Sequence, residues 1–207
     1  METLTPANCR KITGYDFNSI LRLTGVYGAH SHFDFKKAKR FVPLYSPSYI
    51  VIEITTDLIE LAVTINYKEK IIVNDVVNAF KTGQDLGLKM AENQVEEAMD
   101  KGFEEIHLFA QGGKDYPGYN GHITWAKVGF TMGKTALAKY KKLLKGLAQV
   151  YSKDLFSLYP DLLMLLSTSE GQKIWADHGF AWGGYFKLNK RSKNYKIMSK
   201  YLMLKFG

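Results

Sequence analysis

From Tyr49 to Thr55 the chain reads Tyr-Ile-Val-Ile-Glu-Ile-Thr, a β-branched run suited to a pleated strand. Leu61, Val63, Ile65 and Tyr67 then fall at a spacing of two, and a third run extends from Ile71 through Val76 and Val77 to Phe80. Alternation of this kind marks half-buried strands. Lys68-Glu69-Lys70 makes the short break between the second and third runs, which predicts an antiparallel hairpin. Near residue 85 the period changes. Leu88, Ala91, Val95 and Ala98 share one helical face, while Lys89, Glu92, Asn93, Glu96 and Asp100 share the other. Gly102 stands where such a helix is stopped.

Residues 105–110 read as a short strand, followed by a glycine-rich loop from Gln111 to Gly121. Ile123 to Phe130 leads into a second long helix over residues 134–151, with Leu137, Tyr140, Leu144, Leu147 and Tyr151 as its apolar stripe. A further helix is predicted over residues 154–167, a short one from Ser169 to a glycine stop at Gly179, a strand over 182–188 and a last helix over 192–205. Residues 1–47 read as irregular apart from a short helix around Ile20, Leu21, Leu23 and Val26. Pro43 and Pro47 bracket a turn or extended stretch. The fold class is therefore α+β, a mixed and mostly antiparallel sheet flanked by helices, in a single domain with a core over 48–133 and a basic helical extension over 134–207.

The order of hairpin strands, glycine-containing loop, helix, strand, loop and Gly-Phe spans Leu58 to Phe130. It resembles the central half of the GNAT acyltransferase superfamily. The segment Thr82-Gly83-Gln84-Asp85-Leu86-Gly87 stands where that family has its Gln/Arg-x-x-Gly-x-Gly/Ala loop. Ala98 to Ile106 matches the end of its helix, and Trp125-Ala126-Lys127-Val128-Gly129-Phe130 its Tyr-x-Lys-x-Gly-Phe segment. The resemblance implies an acyl-coenzyme A-dependent N-acyltransferase using acetyl-CoA or another acyl-CoA. Gly83, Gln84 and Gly87 would hold the cofactor phosphates at a helix N-terminus. Asp75, on the strand before the loop, would be the base. Thr82 and Asp85 depart from the loop pattern, and Trp125 stands where the family often has an acidic Tyr. An indole N–H cannot supply that proton, so His122 or Tyr119 would be the substitute acid.

Charge supplies a rival reading. The chain has 207 residues and a net charge of +8. Residues 134–207 hold 14 basic and 4 acidic residues, while residues 67–133 hold 7 and 10. A polarised basic third suggests an anionic or protein partner at residues 134–207. The alternative function is a non-catalytic GNAT-like module that docks into a larger assembly, viral or ribonucleoprotein, through this region. A third is nucleic-acid binding by the aromatic and basic tail around Trp182, Tyr185, Lys190, Arg191 and Tyr195.

Other patterns add little. No apolar run reaches the roughly 18 residues of a membrane span. The first residues lack the apolar core of a secretory leader. One cysteine, Cys9, excludes an internal disulfide framework. These features predict a cytoplasmic protein, or a component of an assembly built inside a cell. His30, His32 and Asp34 lack a third metal ligand with supporting spacing. Gly129 to Thr135 misses the phosphate-loop pattern by one residue between its glycines.

Overall fold

The computed structural model describes residues 1–26, 38–79 and 86–206. The chain is α+β and divides into two compact units. Unit one is Met1–Leu108 with Lys187–Ser192, and unit two is Phe109–Phe186 with Lys193–Gly207.

Unit one is built on strands β1 (Glu2–Thr3), β2 (Arg40–Tyr45), β3 (Tyr49–Thr55), β4 (Ile59–Asn66), β5 (Ile71–Ala79) and β6 (Glu105–Ala110), the last passing into unit two. β1 to β5 pair antiparallel in chain order, and β6 pairs parallel to β5. The parallel step requires a crossover, supplied by helix α3 (Leu86–Asp100). The alternation read from the sequence has its physical counterpart here. Ile50, Ile52 and Ile54 of β3 and Val63 and Ile65 of β4 are fully buried, with their neighbours partly exposed. Each such side chain contributes about 1.5–3 kcal/mol. Helix α3 packs on β5 through its apolar face, and Val95 and Ala98 are fully buried. Gly102, at φ +70°, stops it as expected.

The first residues are more regular than their hydropathy suggests. Helix α2 (Phe17–Arg22) coincides with the short helix expected around Ile20, while α1 (Pro6–Thr13) stands in place of an expected irregular segment. Local polar bonds start both. Thr5 and Asn8 form a reciprocal capping box with Pro6 at the first position, and Asp16 accepts from the Ser19 N–H. Of the turn or extended stretch expected at Pro43, the structure has the extended one: Pro43 sits inside β2, and its carbonyl accepts from Leu4 N–H at 2.9 Å.

Unit two contains strands β7 (Thr131–Met132) and β8 (Trp182–Lys187), paired antiparallel, and six helices. These are α4 (Gly121–Val128), α5 (Lys134–Tyr151), α6 (Leu155–Leu158), α7 (Leu162–Leu166), α8 (Ser169–His178) and α9 (Lys193–Phe206). The single helix expected over 154–167 is broken into α6 and α7. Pro160 has no N–H to continue it, and Tyr159 before it takes φ −127° and ψ 71°, outside the helical region. Asp154 and Asp161 cap the two fragments separately. A core of fully buried Tyr140, Leu144, Trp175 and Phe186 holds the unit together. Buried Asn194 ties α9 to the turn after α4, donating to Gly129 O at 2.7 Å and Thr131 Oγ1 at 2.9 Å.

Candidate functional site

In unit one the chain's register changes at Asp75. Ala62 of β4 pairs with Val76, but Val63 pairs with Asn74, so Asp75 is the extra residue of a β-bulge. A bulge bends its strand and re-aims a side chain. Asp75 is exposed, and its Oδ2 accepts from Thr64 Oγ1 at 2.7 Å. Pairing between β5 and β6 stops at the same place. It runs from Ile71↔Glu105 to Asn74↔Leu108, whereas β5 continues beside β4 to Ala79. The β5–β6 ladder therefore ends one residue before the bulge, while β5 runs on beside β4.

Gly83 and Gln84 lie outside the described residues, as do His30, His32 and Asp34. Gly87 is in the first turn of α3, where a Cβ would meet nothing within 4 Å. Where the β5–β6 ladder ends, Asn74 is buried and bonded to buried Gln94. Sequence reasoning did not single them out. The one available signal was a polar Gln on the apolar face of α3. Glu92, one helical turn away from Gly87 and beyond, has its carboxyl held above the ordinary range by burial, with Glu96 adding to it.

The other candidates belong to unit two. His122, on the first turn of α4, is 6% exposed and stacks on Trp175 with ring centroids 6.0 Å apart. Burial pushes its pKa down, so the neutral imidazole is favoured. Among the described residues neither His122 Nδ1 nor Trp175 Nε1 has a hydrogen-bond partner. The backbone around it is fixed from both sides, since His122 N–H donates to Gln111 O and Trp182 Nε1 donates to His122 O, both at 2.9 Å. Tyr119, three residues earlier, is 47% exposed in the loop ahead of α4. The structure does not bring these two to a common surface. Trp125 and Phe130 meet edge-on at 5.4 Å, and Phe130 also meets Phe186 at 5.3 Å, so the Gly-Phe pair serves the core of this unit.

Unit two also has a small apolar cleft of about 50 Å³, lined by Phe130, Met132, Leu162, Trp182 and Ile197 and edged by the Asp161–Lys193 ion pair at 2.6 Å. Cofactor sites run to roughly 300–1,000 Å³, so this cleft suits a few methyl-sized groups. Among the described residues no cluster of His, Cys, Asp and Glu could hold a metal ion, and no helix is long and apolar enough to cross a membrane. No protein-family model, curated protein or solved structure matches the chain.

Proposed function

We propose that the chain is an acyl-CoA-dependent N-acyltransferase of the GNAT type, or a divergent relative that keeps the cofactor site. One observation carries this reading. The β5–β6 ladder ends beside a bulge occupied by an exposed carboxylate, and the next described element in the chain is a helix that begins with Leu86-Gly87. A helix start offers unpaired N–H groups to phosphate. In this reading Gly83, Gln84 and Gly87 hold the cofactor phosphates, and Asp75 takes the proton of the acceptor amine. The two substitute acids both belong to unit two, where Tyr119 is 47% exposed and His122 is buried.

The burial of His122 supports a second reading, a non-catalytic module that docks into a larger assembly, because a stacked, enclosed imidazole serves packing better than proton transfer.

Calorimetric titration of acetyl-CoA separates the two. A ligand at 100 times its Kd adds about 2.7 kcal/mol, which raises Tm by about 5–10 °C for a chain of this size. Gly87→Glu should abolish that shift while leaving the unliganded chain folded, since the new side chain meets open space. Absence of any heat or Tm shift at millimolar acetyl-CoA would sink the enzyme reading and leave the module.

A further inference from the structure

Unit two carries the whole charge excess of the chain. Unit one holds 15 basic and 15 acidic residues, and unit two holds 13 basic and 5 acidic. All 13 are lysines. The excess is concentrated on α5, whose 18 residues include five lysines and no acid. Lys134, Lys139, Lys141, Lys142 and Lys145 are all exposed. At 100° per residue, Lys134, Lys141 and Lys145 fall within about 40° of one another and span about 16 Å of helix. Two of the five are steadied by rings, Lys139 Nζ lying 4.1 Å from the Phe180 centroid and Lys141 Nζ 5.0 Å from that of Phe156. Among the described residues none of these five lysines is in a salt bridge. Asp161 pairs with Lys193, Glu170 pairs with Lys153, and Asp154 is held by Ser157, with Lys145 a smaller influence on it.

We infer that the exposed face of α5 binds the phosphate backbone of a nucleic acid without regard to sequence. A row of point charges without arginine forks matches a repeating polyanion and not a base edge. The other anionic surfaces fit less well. Lysine is depleted in protein–protein interfaces. A membrane-surface helix inserts its apolar face, but Tyr140 and Leu144 of α5 are fully buried within unit two. The inference stands apart from the cofactor reading, which concerns unit one.

The test is fluorescence anisotropy of a labelled oligouridylate with the full chain. If three or four phosphates are neutralised, affinity falls on the order of 30-fold between about 50 and 200 mM salt. Lys134→Glu/Lys141→Glu/Lys145→Glu should weaken binding at least tenfold. The charge-matched control Lys68→Glu/Lys190→Glu/Arg191→Glu, in unit one, should change it less than threefold. Circular dichroism checks that both fold, and the Gln counterparts of the α5 set supply a milder series. Equal losses in the two triple variants would overturn the inference, as would no binding at low salt. Tighter α5-dependent binding to phosphatidylserine vesicles than to the oligonucleotide would overturn it in favour of a membrane surface.

Discussion

Asn74 and Gln94 exchange two hydrogen bonds inside unit one, Asn74 Nδ2 donating to Gln94 Oε1 at 2.8 Å and Gln94 Nε2 to Asn74 Oδ1 at 2.9 Å. Gln94 also donates to Leu23 O at 2.9 Å, so one amide joins β5, α3 and the turn after α2. Asn74 lies one residue before the bulge at Asp75 and closes the β5–β6 ladder.

Removing one partner should therefore cost more than removing both. Gln94→Leu leaves a buried Asn74 amide and the Leu23 carbonyl unpaired, at about 2–3 kcal/mol. Asn74→Leu/Gln94→Leu should recover part of that loss. Urea unfolding of the two single variants and the double one measures the coupling, and simple additivity would contradict a mutual pair.

Gly112 is held at φ +144°, and a Cβ there would lie 1.9 Å from His122 Nδ1. Gly112→Ala must push the ring from its place on Trp175 or strain the backbone. A loss of at least about 2 kcal/mol is expected. Thermal unfolding with near-ultraviolet circular dichroism, which sees the Trp175 stack, checks it. By contrast, Gly87→Ala meets open space in a helix and should be neutral or stabilising by about 0.5 kcal/mol.

His122 gives unit two a pH dependence of definite sign. Burial lowers its folded-state pKa below the usual 6.5. Between those two values the unfolded chain holds a proton that the folded chain does not, so stability falls as pH falls through that window. The stabilisation is complete above the unfolded value. Wild type should lose more stability from pH 7 to pH 5 than His122→Phe does, as read from urea midpoints. Parallel losses in both proteins would place the effect elsewhere.

Much of the fold is legible because single faces of β3, β4, β5, α3 and α5 are buried, and burial writes a period into the sequence. The ends of α5 and β6 match their expected positions because Gly133 and the switch in period mark them. Where structure depends on single hydrogen bonds, hydropathy is silent. The Thr5–Asn8 box starts α1 without any apolar stripe, and Pro160 divides α6 from α7 inside a largely apolar stretch. The α4 segment is short and apolar around much of its circumference, so it shows no period. The site is less legible still. A β-bulge is a mismatch between two strands, and nothing in β5 alone marks Asp75 as its extra residue. The burial of His122 follows from Gly112 and Trp175, the latter 53 residues away in sequence.

The most direct measurement is hydrogen-exchange mass spectrometry of the full chain with and without millimolar acetyl-CoA. The expected result is slowed exchange at residues 75–79 and 86–90, where β5 runs on past the β5–β6 ladder and α3 opens. Unchanged exchange throughout, or slowing confined to residues 109–186, would contradict a cofactor site in unit one.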